Sequence, residues 1–237
     1  MRDTPDASNA ALVALPVELM VWLSPAFPVG SFAYSHGLEQ AAERGLVADR
    51  TSLAAWLRDL IQRGSLRNDL IVLAEAWRAA CLGDTTRLLQ CNATALALQP
   101  SAERYLETAQ QGGAFMAAIK AAWPAVTVAM LSQLIGDGDI AYPVAVGATA
   151  AGHGIAIGSA ALGYGVAFVS NLVGAAIRLS VIGQTDGQRI IAGLMPELAV
   201  AARHAAASTL DDLASATFAS DLCSLAHETQ YSRLFRS

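Results

Sequence analysis

The chain has 237 residues, of which 54% are hydrophobic and only 15% charged, and its net charge is −5. An average soluble domain carries about 25% charged residues, so much of this surface is expected to be buried or shared with another phase or protein. The acidic balance argues against nucleic-acid binding, which needs a basic face to neutralise phosphates.

The first residues, MRDTPDASNAALVALP, carry acids and lack the basic region and apolar core of a signal peptide. They read as a flexible N-terminus over about residues 1–10. The stretch SPAFPVGSFAYSHGLE (24–39) has no helical period. Pro25 and Pro28 stiffen it, Gly30 can take a positive φ, and Ser31 can cap a following helix. It reads either as a helix-joining turn with core aromatics or as a shaped recognition surface.

Leu53, Trp56, Leu57, Leu60 and Ile61 form one apolar helical stripe, capped by Asp49 or Thr51 and ended by Gly64. Leu66, Leu70, Leu73, Trp77 and Ala80 form a second, stopped at Gly83. Asp84 caps a third helix to about Leu98, and Pro100-Ser101 opens a long one that Gly112-Gly113 interrupts and Pro124 ends. Gly136–Asp139 is a turn. Further helices are predicted from Pro143 to Leu162, from Tyr164 to Val181, and from Thr185 towards Ser208 with a kink at Pro196. No sustained alternation of the strand type occurs. The prediction is all-α: one domain over residues 1–237, about eight to ten helices, with a separate tail from about 221 to 237.

Ile140–Ile177 contains no Asp, Glu, Lys or Arg, and about 20 apolar residues suffice to span a bilayer. The stretch is rich in Ala and Gly, carries Tyr142, His153, Ser159, Ser170 and Asn171, and lacks a flanking basic cluster. A buried helix pair is therefore expected rather than a membrane hairpin. Close packing is the expected role of Gly154, Gly158 and Gly163.

Chemistry-bearing clusters are sparse. No two of His36, His153, His204 and His227 are three or four apart. Cys223 and His227 are four apart, a two-ligand fragment at most, and they read better as a buried thiol and a solvated imidazole. No His-rich tract marks a metal store. Three cysteines without a CxxC fit a reducing cytosol better than a disulfide framework. There is no GxSxG elbow, and Gly152–Gly158 lacks the GK[ST] of a phosphate loop. Arg178, alone at the end of the uncharged run, reads as a helix C-terminal cap or a partner contact. In the tail, Tyr231, Phe235, Arg233 and Arg236 are of the types that dominate interface hot spots.

Two long motifs, LSPAFPVGSFAYSHGLE (23–39) and AHETQYSRLFRS (226–237), resemble the end motifs of the UreF-type urease accessory proteins. Glu103–Phe115 and Asn171–Gln188 are similar to weaker patterns of that family in the same order. The resemblance implies an all-α, non-catalytic homodimer in the cytoplasm. It would join an accessory protein called UreD or UreH and the GTPase UreG to apo-urease. Nickel passes through that assembly, and no cofactor is held stably. Carried over residue by residue, Gly30, Ser31, Tyr34, Ser35, His36 and Glu39 are a partner-facing motif. His227, Glu228, Tyr231, Arg233, Phe235, Arg236 and Ser237 are the binding tail, and Arg178 is a further candidate for contact with the GTPase. Cys223 lies outside the family pattern, and no residue is singled out as a metal ligand. A second reading has an arginine such as Arg178 or Arg233 act on the GTPase nucleotide, as arginine fingers do.

Overall fold

A computed structural model describes residues 16–237; the expected flexible segment at about 1–10 lies outside the described residues. The described chain is helical, with α1 (Val17–Trp22), α2 (Leu38–Glu43), α3 (Arg50–Arg63), α4 (Ser65–Leu82), α5 (Thr85–Ala97) and α6 (Ala102–Ala122). Then follow α7 (Val126–Ile135), α8 (Tyr142–Gly152), α9 (Ile157–Arg178), α10 (Gln184–Ala207) and α11 (Phe218–His227), with 3-10 turns at Ser31–Ala33 and Leu210–Asp212. No strand occurs among the described residues. The predicted all-α class holds, and α1 and α2, six residues each, are the short additions to the longer helices expected.

Several ends form as their residues dictate. The Asp49 side chain accepts from the Ser52 amide in a capping box. Asp84 and Ser101 accept from the amides of Arg87 and Arg104. Gly83 closes α4 in the left-handed region.

Other boundaries differ. α6 runs unbroken through Gly112-Gly113. A Cβ on Gly112 would lie 2.0 Å from the Ile140 carbonyl oxygen, so this glycine admits the chain entering α8 and does not end a helix. The break between α8 and α9 falls at residues 153–156, not after Leu162. Gly154 sits in that turn with φ +67°, and nothing lies within 4 Å of a Cβ on Gly154 or Gly158, so neither is a packing contact; Gly163 alone approaches a neighbour, Leu23. α10 continues through Pro196. Ser31 caps no helix: it opens the 3-10 turn, and α2 begins only after Gly37.

The core is layered around α8, where every residue from Pro143 to Ala150 is buried. α4 and α6 pack closely on it, and α9 pairs with α10. One hydrophobic cluster runs from Leu19 and Trp22 through Leu57, Leu73, Val146 and Val169 to Phe235. Trp22 stands edge-on to Phe115, Trp123 and His153. His153 bonds the Trp123 carbonyl and is half-buried at the edge of this cluster. α9 and α10 are the described helices that are long and apolar enough to cross a membrane. α9 buries residues such as Ala161, Phe168, Leu172 and Ala176 against the rest of the chain. α10 buries only one stripe, Ile190, Leu194, Leu198, Ala202 and Ala205, with Asp186, Arg189, Glu197 and Arg203 on its other faces.

Candidate interaction site

The two stretches without helical period in the sequence meet in space. Residues 33–39 and the tail dock on each other, on α6 and on the end of α9. The Arg236 amide donates to the Ala33 carbonyl and the Ser35 amide to the Ser237 carbonyl, each at 2.8 Å. The Ser35 hydroxyl also donates to the Ser237 carbonyl. Gly37 permits the approach. Its φ is +74°, and a Cβ there would sit 2.7 Å from the Ser224 amide nitrogen of α11.

Three carboxylates hold the joint. Glu39, in the first turn of α2, accepts from the consecutive amides of Leu234 and Phe235 at 2.7 and 2.9 Å. Its Oε2 is 3.2 Å from His227 Nε2. Glu103 on α6 faces the other nitrogen of that ring at 2.6 Å and pairs with Arg233 at 2.6 Å. Glu107, one turn along α6, accepts from the Ser237 hydroxyl at 2.9 Å and lies 2.6 Å from His36 Nε2. Arg104 and Gln111 complete its shell. Glu228 adds a fourth link by accepting from the Ala102 amide at the start of α6, where a carboxylate is favoured by the helix dipole.

Burial opposes the charge on Glu107, but the Arg104 guanidinium, then the His36 ring and the Ser237 hydroxyl, outweigh it and bring its pKa down to about 2. Burial, then the nearby Arg104 charge, lowers that of His36. The imidazole is thus neutral at pH 7, and a neutral ring facing a carboxylate carries its proton on Nε2. Its Nδ1 has no partner among the described residues. Among the described residues His36 is also one of two non-glycine residues at positive φ, +57°, and its ring stands edge-on to Phe168. Burial raises the pKa of the Tyr34 phenol, and its hydroxyl donates to Gln110.

The predicted site residues therefore divide. Ser35, His36, Glu39, His227, Phe235 and Ser237 are buried and bind the chain to itself. His227, expected to be solvated, is completely buried with Cys223 on the inner face of α11. Tyr34 is buried, while Gly30, Ser31 and Glu228 are partly so. Tyr231, Arg233 and Arg236 face outward. Arg178 ties the parts together: it donates to the Phe32 carbonyl, and its guanidinium lies 4.4 Å from the Phe235 ring centroid.

Residue reasoning missed Glu103, Glu107 and Arg104. The segment Glu103–Phe115 resembled a weaker family pattern, but in the residues themselves the signal was a polar side chain every four positions, Glu103, Glu107 and Gln111, which by itself marks a solvated helix face. It also missed the outer face of α11. There the polar residues turn inward, while Phe218, Leu222 and Leu225 are 73%, 60% and 46% exposed. Phe32 and Leu234 are exposed as well, so large apolar side chains face outward on both motifs and on α11, as at protein contact surfaces. Among the described residues no group of three His, Cys, Asp or Glu side chains is arranged to hold a metal ion.

Comparison with known proteins agrees with the motifs. The UreF family model matches residues 47–195. The chain is 54% identical to the urease accessory protein UreF of Methylobacterium radiotolerans, over 96% of this chain and 98% of that protein. It is 50% identical to the protein of the same description from Xanthobacter autotrophicus, over 97% of this chain and 93% of that one. The UreF of Azorhizobium caulinodans is also 50% identical, over 92% and 94%. Since these alignments span more than nine-tenths of this chain and of each relative, and the family model covers the helices between the two end motifs, this protein belongs to the UreF family of urease accessory proteins.

Proposed function

We propose that this chain is a non-catalytic scaffold of urease maturation in the cytoplasm. It joins the UreD/UreH-type accessory protein and the UreG-type GTPase to apo-urease, so that nickel reaches the enzyme without stable residence on this chain. The working unit is a single domain, residues 1–237, acting as a homodimer. The observation that carries this reading is the convergence of the two family motifs on one surface. Their inner side chains form a buried polar joint, exposed Phe32, Tyr231, Leu234 and Arg236 lie outside it, and exposed Arg233 sits at its rim on Glu103. Aromatic and arginine side chains on a preordered segment suit protein binding, because little ordering entropy remains to be lost.

The reading in which Arg178 or Arg233 acts on the GTPase nucleotide has less support. The Arg178 guanidinium is engaged by the Phe32 carbonyl and the Phe235 ring and that of Arg233 by Glu103, so reaching a nucleotide would require breaking those contacts. The test of the scaffold reading is co-purification of the UreD/UreH-type partner with a Tyr231→Ala/Leu234→Ala chain. Both side chains are exposed, so folding should persist while partner binding falls at least tenfold. Binding at full strength would remove the tail from the contact surface.

A further inference from the structure

We infer that Glu39 is a positioning residue for the contact tail: its carboxylate sets which tail side chains face outward, and partner affinity depends on it although it does not touch the partner. The inference rests on the reading above that the tail's outer side chains are the contact surface.

Beyond α11 the tail has no helix or sheet to set its register. Its side chains nevertheless alternate: Leu234 is 63% exposed, Phe235 buried, Arg236 exposed and Ser237 buried. Leu234 and Phe235 lie in a bend, so their adjacent amides can face the same way, and turning that bend over would put Phe235 out and Leu234 in. Glu39 opposes this most directly, because its two oxygens take both amides. Both peptide planes are thereby fixed against α2. The same carboxylate meets His227 at the end of α11, so it spans both anchors of the intervening segment 228–233.

Glu39 is itself well held. It is 7% exposed, its amide reaches the Ser35 hydroxyl, and Gly37 brings its helix against α11. The chemistry calls for a carboxylate. Two amide donors and one ring nitrogen converge on it, whereas a glutamine offers one acceptor oxygen and turns its NH2 towards a donor. At least one tail amide would then lose its partner.

The test uses the full chain with Glu39→Gln, reading hydrogen exchange at the Leu234 and Phe235 amides and the affinity for the purified UreD/UreH-type partner. Both amides should exchange at least tenfold faster and partner binding should weaken at least tenfold, with the helical circular dichroism unchanged. Leu234→Pro against Leu234→Ala gives a second route should Glu39→Gln not fold. The two share the loss of the leucine side chain, but only proline removes the amide, so only proline should loosen the tail and weaken binding beyond the alanine variant. Unchanged exchange, or faster exchange with undiminished partner binding, would overturn the positioning role. Full binding by Tyr231→Ala/Leu234→Ala would instead sink the underlying reading of the tail, whatever Glu39 does.

Discussion

His227 Nε2 and Glu39 Oε2 lie 3.2 Å apart although 188 positions separate the two residues. The opposite ring nitrogen of His227 meets Glu103, so one imidazole links α2, α6 and α11. The ring is completely buried, and its removal takes one partner from each of two carboxylates and leaves a void.

His227→Ala is therefore expected to destabilise the chain by about 2–4 kcal/mol, combining unsatisfied buried acceptors with a cavity. Urea unfolding followed by circular dichroism measures it. A midpoint equal to that of the unmodified chain would show that the joint contributes nothing to stability.

Gly37 and Gly45 offer a matched comparison, since both have φ above +70°. Gly45→Ala meets open space and should cost only the left-handed strain, about 1–2 kcal/mol. Gly37→Ala adds a backbone clash with Ser224 and should cost more by at least about 1 kcal/mol. Hydrogen exchange should also rise across α11 in the Gly37 variant alone.

Acid should weaken the joint in two stages. The depressed pKa of His36 means that its contribution is complete above about pH 6.5 and is lost as pH falls through its lower folded value. Glu107 is held at about 2 against an ordinary 4.5. Its contribution, about 3 kcal/mol, is complete above pH 4.5 and is lost as pH falls towards 2. A Glu107→Gln chain should show a flatter decline in unfolding free energy below pH 4.5.

Asp69 has the opposite sign. Burial, partly offset by Arg104 and by the Tyr164 hydroxyl 3.0 Å away, raises its pKa from 3.8 to about 6. Its contribution is favourable below pH 3.8 and is lost as pH rises through about 6. Asp69→Asn should stabilise the chain by about 2–3 kcal/mol at pH 8 and have little effect at pH 3.5. Unfolding midpoints of both chains at the two pH values decide the matter.

The thiols should separate by access. Cys81 is exposed, whereas Cys91 and Cys223 are buried. Burial also pushes the Cys91 thiol up to about 11, which lowers its thiolate fraction. Brief treatment with iodoacetamide at pH 8 should mark Cys81 alone by mass spectrometry. All three should react after unfolding in urea.

Local patterns were legible without the fold. The stripe Leu53, Leu57, Leu60, Ile61 and the caps at Asp49, Asp84 and Ser101 appear as read, because a helix face and an N-cap depend on residues only three or four apart. Long-range features were not. Gly112 looked like a helix breaker because its reason, the Ile140 carbonyl, comes from another part of the chain.

The site divides along the same line. By itself the sequence determined the all-α class, the family, and the two motifs at residues 23–39 and 226–237, since each is carried by neighbouring residues. Only the tertiary structure decided that these motifs bind each other, that His227 is buried, and that Glu103 and Glu107 belong with them. A carboxylate on a helix is solvated by default. It becomes part of a joint only when another segment brings donors to it, and residues 107 and 237 are joined by packing and not by sequence.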